Sequence, residues 1–350
     1  MWFRRDGHRE EPTLVLSGGG AMGALQVGVL RVLVRRGFRP GRIIGTSVGA
    51  LNGAFLAFYP DVEGVERLVE IWRGLENDRY INFSPVRIAY RIALRQPYIF
   101  SNEFLQRLIT EHTTIDDFSA TEVPLYITAA NMGTGRKHVF NSGPVSQAVL
   151  ASTAIPAVFA PVEIDGETYI DGGVVANLDL ETALELGARD VLGIDLSHCF
   201  DNSAPSTVIG ILTRTVDIVI RDRVERDIEL LSKQARIAVI QPDVEEGPGV
   251  GDLRQVSRLI ERGEAFGEQI YDRCFDSKGR LQPGIVAADV VMPDDAGDDD
   301  PVSAGAYVRQ AGGVPSAERL TRRRFAGIAA QIGRRKSRAP GEPYAASNSE

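Results

Sequence analysis

The chain is poor in the residues that build metal centres and disulfide frameworks. Its 350 residues include two cysteines and four histidines. Cys199 and Cys274 lie far apart without Cys-x-x-Cys spacing, which excludes a disulfide framework and a zinc ribbon. Both are read as reduced thiols of a cytoplasmic protein, and neither a metal nor an organic cofactor is expected. A basic field is missing too. With 39 Lys and Arg against 47 Asp and Glu the formal charge is -8, so nucleic acid is not expected as a partner. Long apolar runs are also lacking. Ile43 to Pro60 carries no charge over eighteen residues, at the lower limit for a membrane span, but it holds three glycines, a serine, a threonine and an asparagine. A buried helix packed on a sheet fits it better. Residues 1–12 are polar, lack the apolar core of a signal peptide and are read as a flexible N-terminus.

What the chain has is concentrated between Thr13 and Phe58, where two glycine-rich turns each follow a short apolar run. The second, Gly45-Thr46-Ser47-Val48-Gly49 after Ile43-Ile44, fits Gly-x-Ser-x-Gly in a strand-to-helix setting. The small residues at Gly45 and Gly49 allow a sharp turn that lifts the Ser47 hydroxyl above a helix N-terminus, whose free N–H groups favour developing negative charge. The first turn, Ser17-Gly18-Gly19-Gly20-Ala21-Met22-Gly23, offers bare backbone N–H groups at the start of another helix. It lacks the Gly-Lys-Ser/Thr of a phosphate-binding loop. The position where a dinucleotide site needs an acidic residue is taken by Ile43 to Ser47. An oxyanion hole is the better reading: Gly18, Gly19 and Gly20, with the Gly20 or Ala21 N–H as donors to a carbonyl attacked by Ser47.

Strand and helix patterns alternate along the chain, as in an α/β layered sheet with its site at the C-terminal ends of the strands. Strands are expected at Leu14–Leu16, Ile43–Ile44, Leu125–Ala130, His138–Phe140, Asp190–Asp195 and Arg236–Ile240, with a hairpin turning at Asp165-Gly166. Helices are expected after each glycine turn, at Val62–Leu75, Asn102–His112, Pro144–Ala151, Leu178–Leu186, Ser206–Ala235 and Leu253–Cys274. The domain is expected over residues 13–275, and 276–350 as a low-complexity, disordered tail opening with an acidic linker. Within it, residues 319–338 pair eight basic side chains with Phe325, Ile328 and Ile332 at helical spacing. Peripheral contact with an anionic membrane is one reading, and a solvated basic tail the other.

Four motifs in order, Gly18-Gly19-Gly20-Ala21-Met22-Gly23, Gly45-Thr46-Ser47-Val48-Gly49, Ala151-Ser152-Thr153-Ala154-Ile155-Pro156 and Asp171-Gly172-Gly173, resemble those of the patatin-like phospholipase family. The resemblance spans roughly Thr13 to Asp195 and weakens toward residue 275. It implies a three-layer α/β/α fold with a mainly parallel central sheet. It also implies a serine lipid acyl hydrolase in which Asp171 takes the proton from Ser47 directly, forming an acyl-enzyme. Gly172 and Gly173 would let the aspartate's loop approach the elbow. An aspartate at its ordinary pKa of about 4 is a weak base at neutral pH, so desolvation is expected to raise it. The family commonly carries Arg or Lys where this chain has Met22.

Two alternatives remain open. Ser47, Asp171 or Asp195, and His198 follow the chain order of a Ser–acid–His esterase or thioesterase, although only one strand precedes the serine here. A non-catalytic membrane-binding or scaffolding protein on the same fold is the other.

Overall fold

Apolar residues alternating with a period of two set the two faces of the central sheet, in a computed structural model that describes residues 11–77, 98–100, 103–112, 116–199, 208–244, 252–289 and 307–309. Its strands are β1 (Thr13–Leu16), β2 (Arg42–Thr46), β3 (Tyr98–Phe100), β4 (Leu125–Asn131), β5 (Arg136–Phe140) and β6 (Ala157–Phe159). They continue with β7 (Val162–Ile164), β8 (Glu167–Asp171), β9 (Asp190–Ile194), β10 (Arg236–Asp243), β11 (Gly284–Asp289) and β12 (Tyr307–Arg309). Helices α1 (Gly23–Arg35), α2 (Val48–Phe58), α3 (Val62–Asn77), α4 (Glu103–His112) and α5 (Val145–Ser152) are followed by α6 (Gly173–Ala176), α7 (Leu180–Glu185), α8 (Val208–Leu231) and α9 (Val256–Cys274).

Ten strands form one sheet in the order β12-β11-β10-β9-β1-β2-β4-β8-β7, with β5 also on β4, while β3 and β6 pair separately. The pairs from β11 through to β4 are all parallel, and antiparallel pairs lie at the two flanks. Leu14, Leu16, Ile43, Leu192 and Ile194 turn to one face and pack with α1, α2, α3, α5 and α9. Val15, Ile44, Val191, Ile237 and Val239 turn to the other, under α7 and α8. The result is the expected three-layer α/β/α arrangement. Each such side chain taken fully out of water contributes about 1.5–3 kcal/mol before chain entropy is counted.

The register of β4 explains where the site falls. Ile127 and Thr128 pair with both β2 and β5, so those two strands lie on opposite edges of β4. Ala129 to Asn131 pair with both β5 and β8, which puts β8 on the same edge as β2. Since β2 is parallel to β4 and β8 antiparallel, β2 and β8 run head-on along one edge. Thr46 ends opposite Thr128 and Asp171 ends opposite Ala129, the next residue. The two C-terminal strand ends, with the turns that follow them, therefore meet.

Local expectations hold with small shifts. The uncharged run from Ile43 to Pro60 is β2, the turn and the fully buried α2. The hairpin turns at Asp165 and Gly166, whose φ values of 51° and 81° suit a two-residue turn matched to strand twist. The end of the domain moves, however. The sheet continues past residue 275: Phe275 bridges Leu281, and β11 pairs with β10 with Val286 fully buried. The acidic run that follows masked this strand in a reading by composition. The helix expected over Asn102–His112 is α4, while residues 1–10 and 319–338 lie outside the described residues.

Candidate active site

Ser47 caps α2 with φ 54° and ψ -125°, a left-handed backbone that costs a non-glycine residue about 1–3 kcal/mol and persists only where the surroundings impose it. The imposing contacts are backbone. A Cβ on Gly45 would lie 2.5 Å from the Gly49 oxygen, and one on Gly49 would lie 2.3 Å from the Leu16 oxygen of β1. The turn is thus wedged between its own helix and the neighbouring strand, and only glycine fits at either flank.

The Ser47 Oγ donates to Asp171 Oδ2 at 2.6 Å, and Gly173 N–H donates to Asp171 Oδ1 at 2.7 Å. Both residues are almost closed to solvent, at 5% and 6% exposure. Burial pushes the Asp171 carboxyl up from 3.8 to about 6, against the opposing pull of the Ser47 and Gly173 hydrogen bonds. Gly172 follows because a Cβ there would meet the Thr128 oxygen at 2.1 Å.

The first glycine turn lies directly above the elbow: a Cβ on Gly18 would meet Ser47 Cβ at 2.9 Å and Asn177 Oδ1 at 2.6 Å. Of the three loop glycines, Gly18 has its N–H taken: it donates to the Asn177 oxygen at 3.4 Å. Among the described residues the N–H groups of Gly19 and Gly20 meet no protein acceptor, and Gly20 adopts φ 55°. Ala21 and Met22 are buried, so Met22 fills core volume at the position where a basic side chain was expected by family pattern. The N-termini of α1 and α2 both end at these turns and add their dipoles to the site.

The described histidines, His112, His138 and His198, sit elsewhere. His198 Nε2 stands 3.8 Å from Asp195 Oδ2 and 3.9 Å from Glu225 Oε1, while Asp195 accepts from Ser197 and Gln241. His112 packs on Phe55, and His138 on Phe140 and Tyr169. Among the described residues no hydrogen bond joins a histidine to Ser47 or Asp171.

Sequence reasoning missed three supporting groups. Thr46 Oγ1 donates to the Ala176 oxygen, Asn177 grips Gly18 from both its backbone oxygen and its Nδ2, and Ser152 Oγ accepts the Ser47 N–H at 2.8 Å. Only Ser152 carried a signal, its place in the Ala-Ser-x-Ala-x-Pro segment.

Residues 14–184 match the family model described as patatin-like phospholipase, and this part of the chain belongs to that family. Similar curated proteins include lysophospholipase NTE1 of Mycosarcoma maydis, 28% identical over 200 residues covering 54% of this chain and 10% of that protein. A lysophospholipase of Aspergillus terreus is 30% identical, covering 54% and 12%. A patatin-like phospholipase domain-containing protein of Caenorhabditis elegans is 29% identical, covering 52% and 13%. This chain thus spans roughly a tenth of the length of these relatives. Among solved structures, VipD from Legionella pneumophila aligns with TM-score 0.42 and 15% identity, covering 76% of this chain and 67% of that one. No helix among the described residues is long and apolar enough to cross a membrane.

Proposed function

We propose that this chain hydrolyses the fatty-acyl esters of lipids, with Ser47 as nucleophile and Asp171 as its base. The observation that carries the proposal is the direct 2.6 Å hydrogen bond from Ser47 Oγ to a buried carboxylate that has no cation beside it among the described residues. A carboxyl at about 6 is mostly ionised at neutral pH and far more basic than an exposed aspartate, which suits it to accept a proton in the transition state.

In this mechanism Ser47 Oγ bonds to the ester carbonyl carbon as its proton passes to Asp171 Oδ2. The carbonyl oxygen becomes an oxyanion held by the Gly19 and Gly20 N–H groups. Collapse breaks the bond to the alcohol, which takes the proton back from Asp171 and leaves an acyl-serine. Water then attacks the acyl carbon, giving its proton to Asp171, and the fatty acid departs with that proton returned to Ser47. Membership of residues 14–184 in a phospholipase family, and relatives named lysophospholipases, support a lipid with a single acyl chain and a phosphate head group. Residues 319–338 would add peripheral contact with anionic membranes, an assignment checked by vesicle sedimentation of the chain with and without them.

The test is labelling with a fluorophosphonate, beside Ser47→Ala, with mapping of the modified peptide and a panel of lysophospholipids and acyl esters. Modification of Ser47, lost in the variant and accompanied by fatty-acid release, is expected. A well-folded protein that neither labels nor releases fatty acid would overturn the reading in favour of a binding role.

A further inference from the structure

Two strands that meet head-on leave a seam. Along the shared edge of β4, the partner changes from β2 to β8 between Thr128 and Ala129, and no strand residue occupies the join. The Thr128 carbonyl points into that seam, where the Gly172 backbone has no Cβ to obstruct it. What fills the seam is a side chain from a helix. Ser152, the last residue of α5 and fully buried, donates its hydroxyl to the Thr128 oxygen at 2.6 Å. The same Oγ accepts the Ser47 N–H at 2.8 Å. Its backbone oxygen accepts the Gly172 N–H at 3.3 Å, and two residues on, the Ala154 oxygen accepts the Asp171 N–H at 3.0 Å.

We infer that Ser152 is a positioning residue that locks the Ser47 elbow and the Asp171 loop into one geometry. The inference rests on the hydrolase reading and names a further group that serves the same site. Ser47 is a helix cap, so its N–H has no partner within α2 and would be orphaned in the buried site without the Ser152 hydroxyl. That N–H belongs to the residue whose backbone is left-handed, and the hydrogen bond is one of the contacts that hold it there. One hydroxyl satisfies both the orphaned donor of the elbow and the orphaned acceptor of the seam. It thereby replaces the ladder that β2 and β8 cannot make with each other. Ser152 makes no hydrogen bond to the Ser47 hydroxyl or to the Asp171 side chain among the described residues. Its effect passes through the angle at which Ser47 Oγ is presented, and a displacement of about 1 Å lowers rate by as much as about 100-fold.

Three variants separate hydrogen bonding from packing. Ser152→Ala removes the hydroxyl at a helix end that tolerates alanine. Ser152→Cys keeps the volume but is a weak donor and acceptor. Ser152→Thr keeps the hydroxyl. Each is assayed for kcat and KM on the acyl ester that the wild type cleaves best, with hydrogen exchange of the peptide carrying Ser47 followed by mass spectrometry. In Ala and Cys, kcat is expected to fall about 10- to 100-fold at unchanged KM, with faster exchange around Ser47. Thr is expected to recover most of the rate. A Cys variant with wild-type kcat, or exchange unchanged in both Ala and Cys, would overturn the inference. A wild type that cleaves no ester would sink the hydrolase reading instead, and the exchange measurement still decides whether Ser152 anchors the elbow.

Discussion

Two buried aspartates lie within a few residues of each other in sequence and differ in one respect. Asp179 caps α7 and is saturated: it accepts from Thr128 Oγ1, from Thr182 N–H and Oγ1, and from Lys137 Nζ at 3.0 Å. Among the described residues the Asp171 side chain accepts bonds from Ser47 and Gly173 alone, and no cation stands beside it. Both sit against Thr128, Asp179 through its hydroxyl and Asp171 through the seam beside its carbonyl. The difference teaches how one sheet edge separates structure from chemistry. A buried carboxylate saturated by hydrogen bonds and a lysine holds elements together. One left without a cation is pushed toward neutrality, which suits it to the proposed role of proton acceptor.

The largest effect that would sharpen this contrast is Asp171→Asn. Turnover should fall by about three orders of magnitude or more, because among the described residues no other side chain hydrogen-bonds the Ser47 hydroxyl. Stability should move the other way. Burial raises the Asp171 pKa on folding, so its protonated form favours the fold below about pH 4, and that contribution is lost as pH rises through about 6. At pH 8 the variant, carrying no charge there, is expected to be more stable by up to about 3 kcal/mol, read as a higher denaturation midpoint.

Asp179→Ala should behave in the opposite sense. It strands Lys137, which retains only Glu181 and Thr182 as partners, and removes the α7 cap. A loss of about 3 kcal/mol in chemical denaturation is expected, with activity falling only as far as the folded fraction does. Equal losses of stability in the two variants would break the comparison. The smallest effect belongs to His198→Gln, for which kcat should stay within about twofold of the wild type, since its neighbours are Asp195 and Glu225. A loss of turnover there with Asp171→Asn active would restore the triad.

Much of this was legible in the chain. Gly45 and Gly49 around Ser47, after an apolar strand, specify an elbow by local sterics, and the period-two apolar runs specify the sheet. That Asp171 would face Ser47 was legible only through family resemblance, because 124 residues separate them and their meeting depends on the head-on register of β2 and β8. No local pattern encodes that register. That Asn177 would take the Gly18 N–H was not legible, because spacing does not reveal so long-range a partner. β11 was missed because Ile285 and Val286 form a short apolar run just before an acidic stretch, and composition averages over both.

The most direct measurement is the rate of Ser47 labelling by a fluorophosphonate as a function of pH, in wild type and Asp171→Asn. If Asp171 is the base, the wild-type rate climbs with pH to a plateau with a midpoint near 6, and the variant labels hardly at all. A variant that labels as fast as the wild type, over the same pH profile, would contradict the assignment of Asp171 as the group that activates Ser47.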